Sequence, residues 1–192
     1  GGGTQGFSSF DGELAAFRVY DSDTDANDVT MLSNSFTFMS TALPANLTVT
    51  TTGNQNFQND VVMGRNVTST GVDVTFGAQI NDDADGTTPS GLTVNASGTT
   101  TFTGDIGTTN AIDSITTDAA GTTALNSTIV TTSGDQIYND AVTAGGATTT
   151  INALNVTFAD TSTFNGTTST VNATDATFTG DANFAGGVAD IN

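Results

Sequence analysis

The chain has 192 residues, 20 acidic side chains against 2 basic ones, and neither His nor Cys, for a formal charge of −18. Nucleic acid and anionic membrane surfaces are excluded as partners, because neutralising phosphate takes Lys and Arg. Imidazole and thiolate metal sites, Ser-His-Asp triads and disulfides fall with the missing residue types. Both basic residues, Arg18 and Arg65, are arginines, so lysine Schiff bases and phosphate-loop lysines are ruled out too. Threonine is the commonest residue, large aliphatics are sparse, and no apolar run reaches membrane-spanning length. Such a chain can fill only a narrow core, while its acidity favours solubility, repulsion between copies and recruitment of divalent cations.

The opening segment differs from the rest. Phe10-Asp-Gly-Glu-Leu-Ala-Ala-Phe-Arg-Val-Tyr20 reads as a strand, Asp21-Ser-Asp-Thr-Asp-Ala-Asn-Asp28 as a turn, and Met31 to Met39 as a second apolar strand or short helix. Asp21, Asp23, Asp25 and Asp28 offer carboxylates at the near-alternate spacing by which a tight loop wraps a hard cation, and are the candidate calcium ligands. Ala26 stands where an EF-hand loop needs Gly, and Leu32 where it needs the closing Glu. A solvated turn capped by its own Asx side chains therefore competes with the metal reading. The Phe-x-Gly-Glu-Leu strand leading through Arg-Val-Tyr-Asp into an acidic turn resembles the closing segment of laminin-G-like (concanavalin-A-like) sandwich domains. That resemblance implies a cap, a docking element or the remnant of a sandwich. It carries no glycan site, because the ligand loops of that family have no counterpart here.

Thr41-Ala-Leu-Pro44 marks a boundary, giving an N-terminal β segment over 1–44 and repeats over 45–192. Thr52-Gly-Asn-Gln55 returns as Ser133-Gly-Asp-Gln136, Asn59-Asp-Val-Val62 as Asn139-Asp-Ala-Val142, and Val74-Thr-Phe76 as Val156-Thr-Phe158. Thr101-Phe-Thr-Gly-Asp105 returns unchanged at 177–181. These echoes suggest a long period of roughly eighty residues, about four coils, laid over a shorter one. Asn81-Asp-Asp-Ala-Asp-Gly-Thr-Thr-Pro89 interrupts the pattern as a loop, and Asp83 and Asp85 in it form a second, weaker acidic run.

The shorter period is plainest in the last quarter. The block Asn152-Ala-Leu-Asn-Val-Thr-Phe158-Ala-Asp-Thr-Ser-Thr-Phe164-Asn-Gly166 comes back twenty residues later, from Asn172 to Gly186. Leu154, Val156 and Phe158 alternate with polar residues, as in a strand with one apolar face. Stacked copies put Phe158 over Phe178, Phe164 over Phe184 and Asn152 over Asn172 as an amide ladder. The expected fold is all-β: a parallel β-helix, or β-solenoid, of about twenty residues per coil, preceded by the short N-terminal β segment. From Ala45 onward it makes some seven coils, a rod of about 34 Å at the usual strand spacing. An antiparallel sandwich gives no reason for both rings and the turn Gly to keep one fixed offset.

Residues 100–150 are similar to the β-strand repeats of giant bacterial surface proteins, the filamentous-haemagglutinin-like and autotransporter-like adhesins, and the match spans most of 50–192. It implies secretion to the cell surface and a structural or adhesive role, as the shaft or a subunit of a filament or matrix. The expected partners are copies of the chain itself, head to tail or side by side, and surface glycans. No catalytic constellation is legible, so the expectation is a non-enzyme. Arg65, the only basic residue of the repeats, reads as a surface ion-pair residue beside Asp60 and Asp73. The alternative is a binding module, for glycan or ice, on a Thr-rich face. Thr48-Val-Thr50, Thr101-Phe-Thr103 and Thr177-Phe-Thr179 supply suitable triplets, yet they do not recur at every coil, and Asn165 and Asp175 interrupt the rows. Seven Asn-x-Thr/Ser sequons, at Asn46, Asn66, Asn95, Asn126, Asn155, Asn165 and Asn172, mark glycosylation only weakly in so Thr-rich a chain. The chain opens without Met and ends partway into a repeat, so both ends read as edges of a longer polypeptide.

Overall fold

The computed structural model describes residues 28–31, 46–85, 88–185 and 188–191. They form a β-solenoid in which every strand pairing is parallel and each coil passes through three short strands, one per face. β1 (Asp28–Met31) precedes the first full coil, which is β2 (Asn46–Thr50), β3 (Asn54–Phe57) and β4 (Val61–Met63). The second coil is β5 (Asn66–Gly71), β6 (Val74–Phe76) and β7 (Ile80–Asp82). In the third, β8 (Leu92–Ala96) and β9 (Thr99–Phe102) are followed by a side reduced to a bridge at Ile106, which links Ile80 below to Val130 above. β10 (Ile115–Thr117), β11 (Thr122–Leu125) and β12 (Ile129–Thr131) come next, then β13 (Gln136–Tyr138), β14 (Ala141–Ala144) and β15 (Thr148–Asn152). β16 (Asn155–Phe158), β17 (Ser162–Phe164) and β18 (Thr168–Asn172) lead to the last coil, β19 (Asp175–Phe178), β20 (Ala182–Phe184) and β21 (Val188–Ile191).

Face one is the seven-stranded sheet from β2 to β19, so the coils number seven, as the repeat arithmetic expects. Face two is the eight-stranded sheet from β1 to β20. Face three joins β4 and β7 through Ile106 to β12, β15, β18 and β21. Strands stay this short because Gly, Asn or Asp turns the chain after every three to six residues.

Inside, like stacks on like. Phe158 pairs with Phe178 and Phe164 with Phe184, with ring centroids 5.0 and 4.9 Å apart and planes within 15° and 8°. Tyr138 continues the first stack below Phe158 at 5.3 Å. Phe57, Phe76 and Phe102 build a second stack lower on face two. Asn152 pairs with Asn172, and the Asn172 Nδ2 donates to Asn152 Oδ1 at 2.8 Å: the expected amide ladder. Ile80, Ile106, Val130, Ile151 and Val171 line the inner wall of face three. Apolar burial at roughly 25 cal/mol per Å² is the main force holding so thin a column together.

Four sequence readings change. Leu154 does not share the apolar face with Val156 and Phe158; it occupies the corner before β16 and is half exposed. Asn81 and Asp82 belong to β7 rather than to a loop, and the extra length follows them. Val67 pairs with Leu92, so that coil holds twenty-five residues where Asn46 to Asn66 spans twenty. Asp28 opens a strand rather than closing a turn, and β1 pairs with β3, so part of the 1–44 segment extends face two. The strand reading for 10–20 and the 41–44 boundary lie outside the described residues.

The fourth change concerns the long period. Gln55 lies in β3 on face two and Gln136 in β13 on face one; Thr101-Phe-Thr-Gly-Asp105 starts in β9 on face two, and its copy at 177–181 in β19 on face one. From β3 to β13 is ten strands plus the Ile106 side, and from β9 to β19 is likewise ten strands plus the Ile106 side.

 Both steps thus span eleven sides, three full coils and two sides more, because the Ile106 side lies within each. The long echo is therefore not four whole coils. Each echoed side lands on a different face from its counterpart.

Candidate functional site

Corners carry most of the polar chemistry. A chain turning between faces leaves backbone N–H groups outside the ladders, and each buried one needs an acceptor. Asx side chains one coil away supply it. Asn54 Oδ1 accepts from Asp73 N–H at 3.1 Å, Asp60 from Gln79 at 3.1 Å, Asn66 from Gly91 at 2.7 Å and Asp73 from Thr99 at 2.8 Å. Asp105 Oδ1 takes both Thr128 N–H at 2.8 Å and Ile129 N–H at 3.0 Å. These Asn and Asp side chains act as staples between coils. Asp105→Ala should cost about 1–2 kcal/mol in urea unfolding, since two donors lose their acceptor, whereas Asp105→Asn keeps the oxygen and should stay within about 0.5 kcal/mol.

Of the predicted cation ligands only Asp28 is among the described residues. Asp21, Asp23 and Asp25 lie outside the described residues, and Asp28 is the first residue of β1, opposite Asn54. Among the described residues no three acidic side chains gather into a metal-binding group. Asp83 Oδ1 accepts the Asp85 N–H at 3.2 Å, an Asx turn. Asp82, buried at the end of β7, accepts the Ser90 N–H at 2.9 Å and anchors the long corner at both ends. Asp60 and Asp73, read from sequence as neighbours of Arg65, are both engaged as staples.

The flat faces are neutral at their centres. Register aligns Thr48, Thr68, Thr93, Thr116, Ile137, Thr157 and Thr177 in one outward column on face one. Counting triplets in the sequence hides this column, because the coils differ in length; Asp175 stands beside it on β19, and Asn165 lies on the corner after β17 of face two. The sequons divide as well. Asn155 Nδ2 donates to Asp135 Oδ1 at 2.8 Å and Asn172 Nδ2 to the ladder, while Asn46, Asn126 and Asn165 are exposed.

Mid-rod, the interior turns polar. Gln136, fully buried, donates from Nε2 to Thr132 Oγ1 at 3.2 Å and to the Asn152 carbonyl at 3.1 Å, and its Oε1 accepts the Tyr138 hydroxyl at 2.9 Å. Gln55 repeats the arrangement two faces out of step: Nε2 to Thr51 Oγ1 at 3.2 Å and the Thr70 carbonyl at 2.7 Å, with Ser69 Oγ on its Oε1. Asp140 turns into the core from the corner before β14 and is 2% exposed. Its Oδ1 accepts from Thr117 Oγ1 at 2.8 Å and Thr123 Oγ1 at 2.9 Å. Burial pushes its carboxyl above the ordinary range, the two hydroxyls pull it back, and the negative charge of Asp118 raises it further. Burial also raises the Tyr138 phenol, with the Asp140 charge adding to the effect. Sequence reasoning missed Asp140: its counterpart in the echo, Asp60, is an exposed staple, and nothing local distinguishes the two. No family model, curated protein or solved structure matches the chain.

Proposed function

We propose that this chain is an extracellular structural or adhesive protein, its solenoid serving as the shaft or a subunit of a cell-surface filament or matrix, without catalytic activity. The observation that carries the proposal is the parallel β-solenoid itself, a rod in which like stacks on like. Phe178 and Phe184, whose counterparts below are fully buried, remain half-buried in the last described coil, on strands with a free edge among the described residues. Such an edge pairs with a strand of like pattern, which a further repeat or another copy supplies. The similarity to adhesin repeats, noted from sequence, supports the same reading, and the acidic corners keep rods apart sideways while leaving end-to-end growth open.

Sedimentation velocity at rising concentration, with negative-stain microscopy, tests it. The expected result is concentration-dependent linear association that Phe178→Asp abolishes, with a smaller fall in the monomer's melting temperature than a core substitution such as Phe158→Ala gives, because that ring is only partly buried. A monodisperse monomer at every concentration overturns it. In this proposal Asp21, Asp23, Asp25 and Asp28 are candidate calcium ligands in competition with a plain solvated turn, and surface glycans are a candidate adhesion target. The neutral Thr column of face one favours a second reading, a binding module for glycan or ice; glycan arrays and ice-recrystallisation assays separate it from the first.

A further inference from the structure

We propose that Asp140 is carried in the folded rod as the neutral carboxylic acid, which makes the fourth and fifth coils a pH-sensitive joint. Three observations support it. The carboxyl is almost wholly buried, and its hydrogen-bond donors are the hydroxyls of Thr117 and Thr123 and its own backbone N–H. Thr100, the cross-strand neighbour of Thr123, adds another buried hydroxyl, one with no partner among the described residues. No described cation compensates a charge here: Arg65 lies at the corner before β5, three coils below, and Arg18 lies outside the described residues.

The titratable groups around it make a charge harder to hold. Asp118 follows β10 on the same corner one coil below, Asp160 sits one coil above, and the Tyr138 phenol lies on β13. An isolated carboxylate so placed is costly, and taking up a proton is the least disruptive relief. Each of the two threonine hydroxyls can both donate and accept, so the acid proton has an acceptor within the distances seen.

The sign of the pH effect follows from the raised carboxyl. Between the ordinary Asp value, about 3.9, and the folded value, the folded chain holds a proton that the unfolded chain has lost. Stability is therefore full below that window and declines as pH rises through the folded pKa.

The test compares thermal unfolding against pH for the wild type, Asp140→Asn and Asp160→Asn, with carbon-detected NMR titration of the wild-type carboxyls. The proposal expects the downward slope of melting temperature with pH to vanish in Asp140→Asn and persist in Asp160→Asn. It also expects the Asp140 carboxyl to titrate above every exposed aspartate. Where Asp140→Asn fails to fold, the wild-type titration alone decides. An Asp140 carboxyl already ionised at the ordinary aspartate value overturns the proposal, as does an Asp140→Asn profile parallel to wild type.

Discussion

Phe158→Ala should destabilise the rod by about 3–5 kcal/mol, a large share of the roughly 5–15 kcal/mol that holds a typical domain folded. Phe158 is fully buried, stacked on Tyr138 at 5.3 Å and Phe178 at 5.0 Å, and meets the edge of Phe164 at 5.6 Å. In a column this narrow the three faces are fixed by their ladders, so the walls cannot close on the missing ring and a cavity remains. Coils of a solenoid contact only their neighbours, and the loss should therefore be felt locally. Hydrogen exchange should quicken first in β13, β16 and β19, and urea unfolding should shift to lower midpoint. Phe178→Ala, with its ring only partly buried in the last described coil, should cost only roughly 1 kcal/mol. Equal losses at the two positions would show that the stack is not what holds the coils together.

Gly121→Ala should come close to the same magnitude through the backbone alone. Gly121 has φ +77°, and a Cβ there would fall on the Gly98 carbonyl oxygen. The left-handed conformation costs a side-chain-bearing residue about 1–3 kcal/mol. The Gly98 carbonyl cannot step aside freely, because it accepts the Thr122 N–H at 2.9 Å where β11 begins; losing that bond adds roughly 1 kcal/mol. Gly77→Ala is the control. It lacks a positive φ, and its new Cβ would meet the Phe57 carbonyl at an ordinary 3.4 Å, so thermal unfolding should hardly change. A Gly121→Ala protein melting alongside Gly77→Ala would refute the tight corner.

These two positions differ in how far the sequence reveals them. Phe158 announces itself, because the block holding it is written again twenty residues on with both rings in place. Gly121 does not: it is one of 22 glycines, and only the approach of Gly98 one coil below gives it a special role. Asp105 and Asp140 make the same contrast among the acids. Both follow a turn-forming residue, yet one caps two exposed-side amides and the other enters the core.

What the sequence determined by itself is whatever depends on spacing along the chain. Twenty residues per coil, parallel stacking, the Phe columns and the Asn152–Asn172 ladder all follow from residues recurring at one offset, because a strand of period two repeated at fixed distance can bury its rings only against its own copy. Only the tertiary structure decided which face each side occupies. Coils of unequal length shift the register, so the long echo arrives one face away, Leu154 turns outward, the threonines of face one fall into a column, and a corner aspartate meets either a backbone amide or a buried pair of hydroxyls. Those outcomes depend on what lies one coil above or below, and neighbours set by closure of the coil leave no mark in the local order of residues.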